Sequence, residues 1–422
     1  MSRITKYALS DLYEMSSGIS STKEQAGHGA PFVSFSTVFN NYFLLDELPD
    51  LMDTNEKEQE IYSIKAGDVL ITRTSETIDE LAMSCVAVKD YPKATYSGFT
   101  KRLRPKKEGI AYPKYMAFYF RSELFRKAVT NNAFMTLRAS FNEDIFTFLD
   151  VYLPIYEEQV RIGDMLYAVE CKIQKNKEIN DYLEQQLQLL YDYWFTQYNF
   201  PNEDGQPYKA SNGLMVWNKM INHLIPADWK VKPLGTICSF RNGINYDKNV
   251  DGNTIYKIIN VRNISSSTLF LNESTFDEIC LPKQQGDKYC VSDESIIIAR
   301  SGIPGATRIL CNPSSNIIFC GFIICCTPSD NTLQNYLTLY LRQFEGSSAT
   351  QTGGSILKNV SQETLKNLIV PIPPQSLLNQ FNDSILPIYN LINSNTKENV
   401  QLITLRDWLL PMLMNGQTTI ED

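Results

Sequence analysis

No stretch of the chain approaches the 18 or so consecutive apolar residues of a membrane-spanning helix. The opening MSRITKYALSDLYEM also lacks the basic, apolar and small-residue order of a secretory signal. The expectation is a cytoplasmic protein. Histidine is scarce, with only His28 and His223, so a histidine-assisted nucleophile or metal site would have to use one of these two. The nine cysteines include no CxxC pair, which fits free thiols in a reducing compartment and no metal site. No GxxxxGKS or GxxxxGKT segment cradles a phosphate. No glycine-rich turn after a strand, with an acid about twenty residues on, marks a dinucleotide or S-adenosylmethionine site. The Asn- or Asp-Pro-Pro-aromatic tetrapeptide of amino-methyltransferases is missing too, since Pro373-Pro374 is flanked by Ile372 and Gln375. No residue is therefore assigned a catalytic role, and no cofactor is expected on this chain.

Positive charge is in deficit. The formal net charge is −8, from 39 basic and 47 acidic residues, which taken alone argues against a protein that coats nucleic acid. The distribution softens that objection. Asp46, Glu47, Asp50, Asp53, Glu56, Glu58 and Glu60 crowd one segment, whereas KRLRPKK, from Lys101 to Lys107, is almost wholly basic. A sequence-specific reader whose partners supply the phosphate grip is compatible with this balance, and a lone non-specific binder is not.

What the chain does have is helical periodicity. From Tyr156 to Phe195 there is no proline and one glycine, Gly163, while Ile162, Leu166, Val169, Ile173, Leu183, Leu187, Leu190 and Trp194 recur three or four residues apart. Asn176 and Asn180 share that stripe. The spacing predicts the narrow seam of a coiled coil, a rod of roughly 60 Å at about 1.5 Å per residue. The run from Gln375 to Met412 repeats the pattern: Phe381, Ile385, Ile388, Ile392, Leu402 and Leu409 fall on the apolar positions, Asn395 and Asn399 on the asparagines. Arg406 replaces an apolar residue there, and Pro387 is expected to delay or kink the second helix.

The repeat extends upstream. Asp68-Val69-Leu70-Ile71-Thr72-Arg73 matches Ser295-Ile296-Ile297-Ile298-Ala299-Arg300, Gly98-Phe99 matches Gly321-Phe322, and PFVSFSTVFN (31–40) matches TIYKIINVRN (254–263). Matches in this order at a nearly fixed offset predict an internal duplication. A chain of 422 residues with 43% hydrophobic content is long enough for two or three cores. The fold expected is α/β (α+β), with tandem duplicated globules plus two long helices in an antiparallel coiled coil, related by a pseudo-twofold. The boundaries read as globule one at 1–155, first helix 156–198, connector 199–230, globule two 231–374, second helix 375–414 and tail 415–422. Ser140 and Glu143 suggest a capping box, as Ser361 suggests a cap in the second half. Tyr198, Phe200, Tyr208, Trp217 and Trp229 predict a connector packed on the helices. If the helices are antiparallel they cross near Glu178 and Lys397, with Asn176 facing Asn399 and Asn180 facing Asn395, positions suited to fixing register.

Polar loops beside arginine close the matched strands: Arg73-Thr74-Ser75 and Arg300-Ser301-Gly302. The loop from Gly346 to Ser355, rich in hydroxyls, precedes Lys358, while Arg241-Asn242 and Arg262-Asn263 carry side chains that can read G and A bidentately.

On these residues the chain resembles the specificity (S, HsdS) subunits of type I restriction–modification systems over almost its whole length. The proline-bearing strands running into long helices (VYLPIYEEQVRI and LIVPIPPQSLLNQF), the segment YDYWFTQYNFPNEDGQPYKASNGLMVWN and the ending LRDWLLPMLMNG carry the resemblance. It implies two target-recognition domains, each reading one part of a bipartite sequence in double-stranded DNA. The helices would set the gap and dock two modification (methyltransferase) subunits. A restriction (motor-nuclease) subunit would join for cleavage, and S-adenosylmethionine and ATP would sit on those partners. Loop position then makes Arg73, Thr74, Lys101, Arg102 and Arg104 in the first domain the candidate DNA contacts, with Arg241, Asn242, Arg262, Arg300, Ser301 and Lys358 in the second. The rival readings are a self-sufficient adenine methyltransferase or nuclease with degenerate motifs, and a coiled-coil scaffold that binds only proteins.

Overall fold

The computed structural model describes residues 4–20, 22–77, 80–132, 139–246, 252–266, 268–345 and 360–418. It divides into two compact units, Met1–Gln174 with Gln401–Asp422, and Lys175–Val400.

In the first unit the apolar run Val69–Thr72 is a central strand, buried at every position, as a run without alternation requires. It lies in a four-stranded antiparallel sheet in the order Tyr13–Ser17, Thr100–Pro105, Val69–Thr72, Ser84–Val86. A second sheet has the order Asp50–Met52, Ala26–Val33, Thr95–Tyr96, the last pair parallel. Thr5–Ala8 pairs with Asp150–Leu153 ahead of the long helix. The main core packs one face of the four-stranded sheet, through Val69, Ile71, Val86 and Leu103, against the helix Pro113–Tyr119 and against Ile162, Leu166, Leu410, Leu413 and Met414 of the long helices. Leu70 and Cys85 on the other face pack in a separate cluster with Val33 and Tyr96.

The second unit repeats this topology in both sheets and in the strand pair ahead of its long helix. Its four-stranded sheet runs Cys238–Asn242, Ile323–Pro328, Ile296–Ala299, Thr307–Ile309. Its three-stranded sheet runs Asp277–Leu281, Thr254–Ile259, Ile317–Phe319, again with the last pair parallel. Lys230–Pro233 pairs with Ile369–Ile372, ahead of the second long helix. Its core includes Leu187, Tyr191, Trp194 and Phe195 from the first helix with Leu378, Phe381 and Ile385 from the second.

The long helices span Tyr156–Tyr191 and Gln375–Met414, and the first continues into a π turn at Asp192–Thr196. Pro387 does not delay the second helix, which begins at Gln375 directly after Pro373-Pro374. Phe381, Ile385 and Ile392, buried on either side of it, hold that segment against the core. Arg406 is no mere break in the seam: its Nη1 meets Glu170 at 2.7 Å and its guanidinium lies over the Tyr42 ring. Two further expectations are corrected. The cap of the helix Glu143–Phe148 is Asn142, whose side chain accepts from the Ile145 N–H at 3.0 Å, because Ser140 is drawn into a short strand pair with Thr74. Trp217 is 57% exposed on the hairpin Met215–Asn218/His223–Pro226, whereas Tyr198, Phe200 and Trp229 are buried against Phe195 and its neighbours. Among the described residues no helix is long and apolar enough to cross a membrane.

Candidate nucleic-acid interface

Both central strands end in an exposed arginine. The Arg73 N–H donates to the Phe99 carbonyl at 2.8 Å, and the Arg300 N–H to the Phe322 carbonyl at 3.0 Å. The Arg73 side chain is exposed, and among the described residues its guanidinium takes part in no hydrogen bond or ion pair. Arg300 is exposed as well, with Nη1 donating weakly to the Gly321 carbonyl at 3.3 Å. Thr74 and Ser301, next in each chain, are half-buried. Lys101 reaches the Ser17 hydroxyl at 2.8 Å, and its pKa is held below the ordinary lysine value by desolvation, then by the nearby Arg73. A lysine in that setting gains from an approaching anion, which would offset both effects. Asn242 ends its strand exposed.

The remaining arginines are less free than the sequence suggested. Arg102 is buried: its guanidinium lies over the Tyr96 ring, with Nη1 donating to the Ser63 carbonyl at 2.6 Å. Arg241 occupies the corresponding place in the second unit, over the Phe319 ring, donating to the carbonyls of Lys288 and Cys290 at 3.0 Å each. The same kind of contact is thus supplied from Thr100–Pro105 in one copy and from Cys238–Asn242 in the other. Arg104 grips Asp68, which is fully buried, through Nε at 2.8 Å and Nη2 at 2.6 Å. The hydrogen bond to that carboxylate raises the pKa of Arg104 above its ordinary value. Arg102 and Arg104 therefore stand in the fold as braces, because a part-buried carbonyl and a buried carboxylate require donors. Arg241 makes the same kind of backbone contact but stays exposed.

Arg262 pairs with Asp277 but is exposed. Exposed pairs are worth little, so this one leaves the guanidinium recruitable. It lines a cleft of about 450 Å³ with Asn245, Tyr246, Asn260, Gly321 and Phe322, a wall rich in donors and acceptors. Lys358 lies outside the described residues, as does the loop from Gly346 to Ser355.

On the helices, Asn176 donates to Asn399 Oδ1 at 2.9 Å and to Glu398 at 2.8 Å, and Asn395 donates to Asn180 Oδ1 at 2.9 Å. This pairing makes the two helices antiparallel in this region. Glu178 is tied to Lys175 at 2.8 Å and Lys397 is exposed. Asn176, Asn395 and Asn399 are buried, and polar pairs in an apolar seam cost stability while penalising every shifted register. Replacing Asn176→Leu together with Asn399→Leu is expected to raise the melting temperature and admit alternative gap lengths in the recognised DNA. Unchanged melting with unchanged spacing would remove the register role.

Two copies of one strand topology, each ending a central strand in an exposed arginine and each leading into a long helix, define a duplicated module. The chain belongs to the family described as the type I restriction modification DNA specificity domain, whose model matches residues 1–185 and 226–402. It is similar to the type I restriction enzyme MjaIX specificity subunit of Methanocaldococcus jannaschii, 23% identical over 409 residues covering 95% of this chain and 89% of that protein. It is also similar to the type I restriction enzyme HindI specificity subunit of Haemophilus influenzae, 22% identical over 444 residues covering 92% and 94%. Its fold resembles the crystal structure of the type I restriction–modification S subunit from M. genitalium, at a TM-score of 0.54 and 14% identity, covering 98% of this chain and 96% of the other.

Proposed function

We propose that this chain is the DNA sequence-specificity subunit of a cytoplasmic type I restriction–modification complex. Each globule reads one half of a bipartite target in double-stranded DNA, and the long helices set the gap. The observation that carries this reading is the duplication itself: one sheet topology twice, with Arg73 and Arg300 exposed at the same strand end. Two readers on a rigid spacer suit a split site, and half-sites on one face of B-DNA lie about one helical turn apart, near 34–36 Å. The chain itself is non-catalytic. Two modification subunits dock on it, carry S-adenosylmethionine and flip the target adenine, since chemistry on a stacked base is blocked. A restriction subunit joins for ATP-driven cleavage. These partners also bring basic surface, which reconciles DNA binding with the net charge of −8.

Titration of the purified chain with labelled S-adenosylmethionine, alone and with the modification subunits, tests the division of labour. Binding only in the complex is expected; saturable binding by the chain alone would make it a methyltransferase in its own right. Within the second globule, Arg300→Ala is expected to weaken binding to the target by about 1–3 kcal/mol and relax preference at one base position. A uniform loss across all sequences would make Arg300 a phosphate contact.

A further inference from the structure

Each exposed arginine sits beside an exposed phenylalanine. Phe99 and Phe322 are both 64% exposed, and neither ring has an aromatic partner among the described residues. A single exposed apolar residue is ordinary. This one recurs in both copies, on the same turn, pinned by the same hydrogen bonds.

The turn Ser97-Gly98-Phe99-Thr100 closes with the Thr100 N–H on the Ser97 carbonyl at 2.9 Å, and Cys320-Gly321-Phe322-Ile323 with the Ile323 N–H on the Cys320 carbonyl at 3.0 Å. The Gly98 N–H donates to Ile19 at 2.7 Å and the Gly321 N–H to Ile244 at 2.8 Å. The carbonyl of each phenylalanine is taken by the backbone of its arginine. The crossing segment passes so close that a Cβ on Gly18 would lie 2.2 Å from the Ser97 carbonyl oxygen, and one on Gly243 the same 2.2 Å from that of Cys320. These bonds hold the backbone of the turn in both copies, yet the ring itself is left exposed. A rigid apolar group held out on fixed backbone loses little conformational freedom on binding.

The setting selects the occupant. Phe99 is flanked by Arg73 and by Lys101, which stands one residue past the turn. Phe322 shares the cleft wall with Arg262, Asn245 and Asn260. An apolar ring among cations and amides matches the edge of a DNA groove, where bases offer apolar faces and methyl groups between polar edges and phosphates.

We infer that Phe99 and Phe322 are the apolar base contacts of the two recognition domains, each paired with the adjacent Arg73 or Arg300. The inference rests on the DNA-reading role proposed above and adds residues to it.

The test uses the assembled complex of this chain with its modification subunits and a pool of random-sequence DNA duplexes, with the bound fraction sequenced. The native complex selects a bipartite motif. Phe99→Ala erases preference at one or two adjacent positions of one half only, and weakens binding to the native consensus roughly tenfold. Phe322→Ala does the same to the other half, and Phe99→Trp keeps the motif. Phe99→Gln, which keeps a long side chain on the exposed turn, is the second variant should the alanine change disturb folding, with circular dichroism as the check. An unchanged motif with affinity within about twofold overturns the inference while leaving the reading role intact. Equal loss at both halves in a folded variant also overturns it. A native complex that selects no motif overturns the reading role itself.

Discussion

A heptad inserted into both long helices lengthens the gap of the recognised DNA sequence by about three base pairs and leaves both half-sites unchanged. The insertions belong between Ile173 and Asn176 in the first helix and between Asn399 and Leu402 in the second, where the antiparallel pairing sets one opposite the other. Seven residues add roughly 10 Å of helix and preserve the seam period. At about 3.4 Å per base pair, that is close to three steps along DNA. Asn176 keeps Asn399 on one side of the insertion, and Arg406 keeps Glu170 on the other. The same insertion in one helix alone throws those contacts seven residues out of register, and loss of DNA methylation is the expected result. Sequencing of methylated adenines reads both outcomes. A paired insertion that leaves the gap unchanged would mean the helices do not set it.

The second large effect lies in how the second globule is anchored. Glu184 of the first helix is buried, and its carboxylate accepts the Leu269 N–H at 2.9 Å and two Arg342 nitrogens at 3.2 Å each. Leu269 is itself fully buried in the core that Leu187 shares. Truncation strands a buried N–H and a half-buried guanidinium at once, and leaving buried partners unpaired is the costly case. Glu184→Ala is expected to destabilise the chain by about 3 kcal/mol. Combining it with Arg342→Ala should cost less than the sum of the two single changes, because the residues share one network. Urea denaturation of the four proteins measures both quantities. A loss below about 0.5 kcal/mol, the range of ordinary surface changes, would contradict the anchoring role.

Much of the architecture was legible because it is written in periodicity. Val69–Thr72 and Ile296–Ala299 are continuous apolar runs, and buried central strands are what such runs form. The seam spacing gave the two long helices, and the fixed offset gave the duplication. The candidate site was less legible, since what a charged side chain does depends on partners far away in sequence. KRLRPKK reads as a basic patch, yet Arg104 belongs to Asp68, 36 residues upstream, and Arg102 to the carbonyl of Ser63. Arg241 and Arg102 perform the same task from different strands, which no alignment of the two halves by offset would pair. Phe99 and Phe322 were visible only as a matched Gly-Phe dipeptide. Phenylalanine next to a strand normally signals core, and only the closed turn with its committed backbone leaves the ring outside. Trp217 misleads in the same direction.

The central claim is that each globule reads half of a split target. Its most direct test is single-molecule sequencing of adenine methylation in cells carrying this chain with its modification subunits, compared with the same cells lacking the chain or carrying Arg73→Ala or Arg300→Ala. The account predicts a bipartite methylated motif that vanishes without the chain, with each arginine change relaxing a different half. A motif that persists without the chain, or both changes relaxing the same half, would contradict it.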